Sequence, residues 1–352
     1  GTLPNRIVLA PLTRGRATED NVPTPVMAEY FKQRSKALLI TDATGISRVG
    51  LGWYCAPGIW TAEHEAAWKK IVADVHSVGG KIVVQLWHMG RQVHSDVTGH
   101  QPVSASARAL TTPITAVRGQ KRTPEVPHAL TVKEIAATVQ DYRNAARRAR
   151  AAGFDGVEVH AANGYLIDQF MQSVTNGRDD EYGGSVDNRL RFLREVLAAV
   201  CTEWPADRVG VRLSPNGAFG EVGSPDNTEV FTAAIRHAAG QRLGYIHLMD
   251  SLGFGFHNKC EPFTSEQARK LINAVHPATA LMVNVGYTKE SAEEKVARDE
   301  AQLVAFGRPF ISNPDLVDRF ANNWPLEKEA PMEHWWMPGL GAKGYTDYPP
   351  YK

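Results

Sequence analysis

Three side chains that can donate hydrogen bonds stand close together in the segment His160-Ala-Ala-Asn163-Gly-Tyr165. The segment directly follows a short apolar run, so it is predicted to lie at the end of a buried strand. His160 and Asn163 can direct two donors to one substrate oxygen, which draws electrons from a conjugated carbon. Tyr165, with an ordinary pKa of ~10, can protonate a carbanion-like centre. The alternative is a structural histidine beside a packing tyrosine; three donors in so short a span favour catalysis.

A second candidate site combines glycines with an arginine. It comprises Asn284-Val285-Gly286-Tyr287-Thr288 and Phe306-Gly307-Arg308-Pro309. Glycines let the backbone approach a ligand closely, a helix start offers free N–H groups, and Arg308 offers a forked cation. We predict a phosphate site here; the alternative is two tight turns beside a surface charge.

The absence of several motifs reduces the range of cofactors that the chain could bind. The sequence has no Walker loop, no GxGxxG after a strand and no HExxH, which disfavours a Rossmann domain and a metal. A phosphate-bearing organic cofactor held across the top of the fold remains attractive, and a flavin would be one that needs donors along its pyrimidine edge. Gln85 can both donate to and accept from its pyrimidine edge, Thr13 can donate one bond, and Arg212 can place positive charge near N1, favouring an anionic reduced flavin.

These residues need a scaffold that gathers them, and the alternation of short apolar runs with amphipathic segments predicts one. Runs of this length suit strands buried on both faces of a parallel sheet. The predicted strands are Arg6–Pro11, Leu38–Thr41, Lys81–Leu86, Gly156–His160, Val209–Leu213, Tyr245–Met249, Leu281–Val285 and Leu303–Phe306.

Between the runs lie segments with helix-start signals: a cap and N1 proline at Thr24-Pro25, capping boxes at Thr131 and Thr264, and Asn313-Pro314 before the last helix. Eight strand–helix units predict a (β/α)8 TIM barrel, with residues 1–352 as a single domain. Residues 92–130 and 332–352 are predicted to be excursions over its mouth. Working side chains should gather at the carboxyl ends of the strands.

The composition is typical of a globular protein and has no surplus of basic residues that would bind a polyanion. The sequence has 39 Lys+Arg against 38 Asp+Glu, a net charge of +1, which argues against nucleic acid as a partner. No apolar run is long enough to span a bilayer and no leader pattern opens the sequence, so neither membrane nor export is expected. Three scattered cysteines favour a reducing compartment, the cytoplasm or an organelle. We expect a monomer or homodimer.

Ordered motifs along almost the whole chain resemble the old yellow enzymes, flavoprotein ene-reductases built on a TIM barrel. They are Asn5-Arg6 through Pro11-Leu12-Thr13-Arg14, Gln85-Leu-Trp87-His88-x-Gly90-Arg91, His160-x-x-Asn163-x-Tyr165, Asn176-x-Arg178-x-Asp180-x-Tyr182-Gly183-Gly184-Ser185-x-x-Asn188-Arg189, Arg212-Leu-Ser, Phe306-Gly307-Arg308, Asn313-Pro-Asp-Leu316 and Gly344-Tyr-Thr-Asp-Tyr-Pro349. One branch of this family has cysteine at the position of Thr13. The threonine here resembles the other, long-known branch.

The resemblance implies non-covalent FMN as cofactor and NADPH, or NADH in its place, as reductant. It implies that His160 and Asn163 hold the substrate oxygen and that Tyr165 gives the proton. The residues that would bind the flavin are Ala10, Pro11, Leu12, Thr13, Ala43, Gln85 and Arg212, with Gly286, Gly307 and Arg308 at its phosphate. Trp53, Trp87, Trp335 and Trp336 would surround the substrate.

Three departures from the family pattern bear on the mouth and the bottom of the barrel. The sequence starts about ten to fifteen residues later than is usual, so a hairpin that closes the barrel bottom is expected to be absent or short. Val285 replaces the first glycine of the phosphate turn. Trp53 stands where tyrosine is usual, and Trp335-Trp336 near a usual Phe-Tyr pair, which leaves the substrate range open.

The expected activity is reduction of activated alkenes: α,β-unsaturated carbonyls or nitroalkenes receive hydride from flavin N5 and a proton from Tyr165. Three alternatives remain. The same site could reduce nitroesters or nitroaromatics. A barrel lyase or isomerase of phosphorylated substrates would need a metal or a Schiff-base lysine, and no lysine is predicted at a strand end. A non-catalytic flavin-binding protein would show no steady nicotinamide consumption.

Overall fold

Eight parallel strands close into a barrel in the computed structural model, which describes residues 3–252, 255–336 and 338–352. Each strand pairs with its neighbours in the chain, and the eighth pairs with the first, which confirms the predicted TIM barrel. The strands are β1 Ile7–Leu9, β2 Leu38–Gly45, β3 Lys81–Trp87, β4 Gly156–His160, β5 Val209–Leu213, β6 Tyr245–Met249, β7 Ala280–Asn284 and β8 Leu303–Phe306.

Helices surround the barrel, and two of them begin at the predicted capping boxes, Thr131 and Thr264, whose side chains close reciprocal bonds with Glu134 and Gln267. The described helices are α1 Pro25–Gln33, α2 Ala62–Ser77, α3 Ser95–Thr98, α4 Val132–Ala152, α5 Leu166–Met171, α6 Val186–Arg189, α7 Arg191–Cys201, α8 Asn227–Gly240, α9 Ser265–Val275, α10 Lys289–Ala297, α11 Arg308–Ser312, α12 Leu316–Asn322 and α13 Met332–Trp335.

Some predicted boundaries were wrong. Strand β2 continues to Gly45 through a bulge between Ile40 and Ala43, because Ala43 resumes pairing beside Gln85. The last barrel helix, α12, starts at Leu316 rather than directly after Asn313-Pro314. The Thr24 hydroxyl does not cap α1: it donates to the carbonyl of Arg16 at 2.6 Å.

The interior of the barrel changes from apolar at the bottom to polar near the top. Apolar side chains from several strands, among them Val8, Tyr245 and Met282, form one buried cluster inside the ring. Higher up, Gln85, Glu158, Arg212 and His247 face inward and are all buried. Buried polar groups need partners, so this layer is where a ligand or an internal network must satisfy them.

The C-terminal excursion is held in place by buried arginines. Arg14 donates to the carbonyls of His334, Trp335 and Gly344 at 2.8 Å each, and Arg16 donates to those of Gly341 and Lys343. The ring of Tyr345 stacks on that of Tyr30 with centroids 4.2 Å apart. A segment with little regular structure therefore has a defined course next to the residues that follow β1.

The opposite end of the barrel contains a cavity of about 710 Å³ between the amino ends of the strands, with Leu38, Val83 and Tyr245 among its walls.

The excursion after β3 carries a short hairpin, Ile114–Thr115 with Lys121–Arg122, and a parallel pair, Val103–Ser104 with His128–Ala129. Among the described residues, no helix has both the length and the apolar character that crossing a bilayer requires.

Candidate active site at the carboxyl end of the barrel

A cavity of about 450 Å³ opens at the carboxyl ends of the strands. Its volume lies within the ~300–1,000 Å³ typical of cofactor and small-molecule sites. Side chains and backbone from both predicted sites line it together, although they are far apart in the sequence. The predicted residues in its wall are Ala10, Pro11, Leu12, Asn163, Tyr165, Arg212, Gly286, Gly307 and Arg308.

The proposed catalytic side chains pack as an aromatic group at one end of this cavity. The His160 ring lies nearly parallel to that of Trp87, with centroids 6.3 Å apart, and edge-on to that of Tyr165 at 5.0 Å. Tyr165 also meets Trp87 edge-to-face at 4.9 Å. Trp87 is 1% exposed and His160 is 3% exposed. The buried Trp87 ring thus packs against the rings of both His160 and Tyr165 and restricts their positions.

The protonation of His160 follows from its surroundings. Burial, together with the positive charge of Arg212, holds the pKa of His160 well below 6.5, so the ring is neutral. Its Nδ1 accepts a bond from the Ala162 N–H at 3.4 Å. The ring proton is therefore assigned to Nε2, where it can be donated to a ligand. Burial also raises the pKa of Tyr165, so its hydroxyl keeps its proton.

The backbone of Asn163 is held in the left-handed conformation, with φ of 58°. Its N–H donates to Ser214 Oγ at 2.7 Å, and its carbonyl accepts from Gln92 Nε2 at 2.8 Å. Asparagine tolerates this conformation better than most residues. Asn163 lines the cavity, and because its main-chain groups are occupied by protein partners, the carboxamide is the group that remains for a ligand.

The predicted pyrimidine-edge residues lie together on neighbouring strands. Ala43 pairs in register with Gln85, directly after the β2 bulge. Gln85 donates from Nε2 to Glu158 at 2.7 Å, and Arg212 donates to Asn284 Oδ1 at 2.8 Å. Thr13 is half-buried, just beyond the Pro11 and Leu12 that line the cavity.

Two buried polar atoms at this edge show whether the residues fit a flavin. Within residues 3–252, 255–336 and 338–352, Gln85 Oε1 and Arg212 Nε have no hydrogen-bond partner. An acceptor beside a cation matches the imide N–H and the adjacent N1 and O2 region of a flavin. The residues present therefore fit the flavin that the sequence motifs imply.

The residues predicted to hold a phosphate lie together in the cavity wall, and the carboxylate of Glu329 lies beside them. Gly286 has φ of 77°, and Gly307 caps helix α11. Arg308 forms an ion pair with Glu329 at 3.1 Å, and its guanidinium lies 5.4 Å from the centre of the Trp335 ring. Glu329 also lines the cavity. A bound phosphate would compete with this exposed carboxylate for Arg308.

Val285 stores backbone strain in the phosphate turn. Its φ is 88°, a region that a β-branched residue rarely adopts. We expect Val285→Gly to be more stable than Val285→Ala by about 1 kcal/mol, because both remove the isopropyl group but only glycine also removes the strain. Urea unfolding of the two variants measures the difference; an alanine variant of equal or greater stability would contradict it.

The predicted tryptophans divide between two places. Trp53 and Trp336 meet edge-to-face at 5.0 Å, and Trp53 packs on the apolar cluster that contains Trp87 and Tyr165. Trp335 instead lies over Arg308 at the phosphate end. The structure therefore brings Trp53 and Trp336 together, with Trp53 next to the cluster that contains Tyr165, while the Trp335 ring lies against Arg308.

Sequence reasoning missed four residues that line the cavity: Phe219, Met249, Ala305 and Glu329. Met249 ends a predicted strand and Ala305 lies near the end of another, so their position alone was a usable signal. Phe219 and Glu329 lie in connecting segments without a motif. Phe219 meets Tyr165 at 6.4 Å and is half exposed, so it forms a wall on the solvent side.

Comparison with known proteins identifies relatives that align with nearly the whole of this chain. The model of the NADH:flavin oxidoreductase / NADH oxidase family matches residues 1–327. A putative 12-oxophytodienoate reductase 11 of Oryza sativa subsp. japonica is 40% identical, with 99% of this chain and 94% of that protein aligned. A chanoclavine-I aldehyde reductase of Penicillium roqueforti is 41% identical, over 98% and 92%.

Solved structures show the same likeness. An old yellow enzyme homologue from Zymomonas mobilis has a TM-score of 0.93 and 43% identity, covering 100% of this chain and 97% of that one. Morphinone reductase in complex with tetrahydroNAD has a TM-score of 0.90 and 38% identity, covering 99% and 94%. These similarities confirm the resemblance to the old yellow enzymes that the motifs indicated.

Proposed function

The chain belongs to the NADH:flavin oxidoreductase / NADH oxidase family, and on that premise we propose that it reduces the C=C bond of α,β-unsaturated carbonyl compounds and nitroalkenes. Bound FMN would accept hydride from a nicotinamide and deliver it to the β-carbon of the alkene. FMN would be held by Gln85 and Arg212 at one end and by Gly286, Gly307 and Arg308 at the other.

His160 and Asn163 bind and polarise the substrate. The neutral imidazole offers Nε2–H and the Asn163 carboxamide offers a second donor to the same carbonyl or nitro oxygen. Both donors are held in place before the substrate arrives, His160 by the Trp87 ring and Asn163 by Ser214 and Gln92. Preorganised donors stabilise the negative charge that develops on the oxygen, and they also fix the position of the β-carbon.

Tyr165 supplies the proton to the α-carbon. Its hydroxyl is protonated because burial raises its pKa, and its ring is fixed edge-on between Trp87 and His160. A weak acid held beside the oxygen-binding pair can protonate the carbon as charge builds there. The observation that carries the proposal is that Asn163 and Tyr165 line one cavity of about 450 Å³ and that the His160 ring packs against Tyr165.

We expect the alkene-reducing step to be nearly independent of pH from about 6 to about 9. The pKa of His160 is lowered and that of Tyr165 is raised, so His160 stays neutral and Tyr165 stays protonated throughout this interval. Rapid mixing of pre-reduced enzyme with an enone across this interval measures the rate. A titration in the wild type that disappears in His160→Asn would contradict the assignment of a neutral imidazole.

The activity is tested with the purified holoenzyme under anaerobic conditions. NADPH and NADH are each supplied with cyclohexenone, a maleimide or a nitroalkene, and the saturated product is identified by mass. We expect alkene-dependent oxidation of at least one nicotinamide, with NADPH preferred. Nicotinamide oxidation that no alkene accelerates, or that only a nitroaromatic accelerates, would overturn the proposal.

A further inference from the structure

A carboxylate and an imidazole are buried together one level below the cavity. Glu158 and His247 are both 0% exposed, and Glu158 Oε2 lies 2.9 Å from His247 Nδ1. Glu158 faces the barrel interior two residues before His160 on β4, and His247 lies in register with Arg212. Burying a carboxylate costs free energy unless it is well paired, so its partners deserve an explanation.

Glu158 determines which way the Gln85 carboxamide is turned. A carboxylate can only accept hydrogen bonds, so the Gln85 group facing Glu158 Oε1, at 2.7 Å, must be the amide nitrogen. The amide oxygen then faces away from Glu158, and it is the buried acceptor that lacks a partner in the described part of the chain. Gln85 thus presents an acceptor to the imide N–H of a flavin.

Glu158 is also the internal counter-charge of Arg212. Although burial opposes its ionisation, the hydrogen bonds from His247 and Gln85 and the charge of Arg212 hold the pKa of Glu158 below its ordinary value, so it is charged. Burial lowers the pKa of Arg212, and Glu158 opposes that effect. Burial outweighs Glu158 in lowering the pKa of His247, which is therefore neutral and donates from Nδ1. The net charge below the flavin edge is set by one glutamate and one arginine.

We propose that Glu158, supported by His247, is a positioning residue that turns Gln85 into an acceptor and offsets Arg212, and that it thereby sets both the affinity for oxidised FMN and the reduction potential of the bound flavin. The inference rests on the proposed function only in taking the cofactor to be FMN. Reduction adds negative charge to the flavin, so a carboxylate nearby disfavours the reduced form and an unopposed arginine favours it.

The test is the isosteric substitution Glu158→Gln. Residue 158 could then donate to Gln85 Oε1, so the Gln85 amide loses its fixed direction, and affinity for oxidised FMN should weaken about tenfold, as for one misdirected hydrogen bond. The loss of negative charge should leave affinity for reduced FMN nearly unchanged. A tenfold rise in the ratio of the dissociation constants for oxidised and reduced FMN raises the two-electron potential by about 30 mV. Flavin fluorescence measures FMN affinity, and equilibration with a redox dye measures the potential.

Two further variants keep the result interpretable. Glu195→Gln, whose carboxylate bonds the Tyr182 hydroxyl away from the cavity, should leave both quantities unchanged. The exchange Gln85→Glu with Glu158→Gln returns an acceptor and a negative charge to the site, and it should recover most of the affinity and lower the potential again. Circular dichroism and the Tm of the FMN-free proteins establish that each variant folds.

The outcomes separate this inference from the proposed activity. Unchanged FMN affinity and potential in a folded Glu158→Gln variant would overturn the role of Glu158, as would equal effects of Glu195→Gln. A lower potential in Glu158→Gln would overturn the charge argument. Failure of the wild-type holoenzyme to reduce alkenes would overturn the proposed function alone, because neither readout depends on turnover.

Discussion

Substituting His160→Ala together with Asn163→Gly is expected to slow alkene reduction by about 10³-fold or more, because a single oxyanion donor is worth ~10²–10³-fold. Glycine is chosen at residue 163 because its φ is 58°, where alanine would add strain unrelated to the lost donor. Both lost groups are proposed to donate to the same substrate oxygen. Rapid mixing of the pre-reduced variant with cyclohexenone measures the rate, and titration with a phenol measures binding of the oxygen.

FMN affinity serves as the internal control for this variant. The residues expected to hold FMN lie in or just after β1, β2, β3, β5, β7 and β8, whereas His160 and Asn163 lie at the end of β4, so oxidised FMN should bind within a few-fold of the wild type. His128→Ala with Asn144→Ala is a matched pair outside the cavity, since His128 bonds Glu134 and Asn144 bonds Gln140. Phenol affinity and alkene reduction that survive the site substitution would refute the two-donor assignment.

Tyr165→Phe is expected to slow alkene reduction by ~10²–10⁴-fold, the usual contribution of a positioned general acid. Flavin reduction by the nicotinamide needs no proton from this hydroxyl, so it should change far less. The ring remains to pack against Trp87 and His160, so the cavity keeps its shape. Anaerobic stopped-flow measurement of the two half-reactions separates them.

Tyr182→Phe is the matched control, because it also removes a buried tyrosine hydroxyl, one that bonds Glu195 outside the cavity. It should leave both half-reactions unchanged. Equal losses in the two half-reactions of Tyr165→Phe would show that the hydroxyl organises the site and is not the acid. Nitroalkenes provide a second check, because their carbanions are stable enough to be released and protonated in solution when the acid is missing.

The barrel could be predicted because its evidence is local. Apolar runs of strand length are buried on both sides, and helix caps such as Thr131 with Glu134 are contacts within one turn. The candidate site could be predicted in part for the same reason: His160, Asn163 and Tyr165 are neighbours in the chain, and Gly307-Arg308 directly follows a strand. The boundaries that were wrong, at the β2 bulge and at α12, depend on packing against distant segments.

The sequence alone was therefore enough to establish the order of strands and helices, most of the residues at the barrel mouth and the chemical types available there. How those groups are directed depends on the folded chain. In the sequence Gln85 could donate or accept, but in the fold Glu158, 73 residues away, accepts from its amide nitrogen. Likewise, Trp335 lies over Arg308 because buried arginines near β1 hold the C-terminal segment there. Periodicity reports burial along one element, whereas hydrogen-bond direction and charge balance depend on partners that only folding brings within reach.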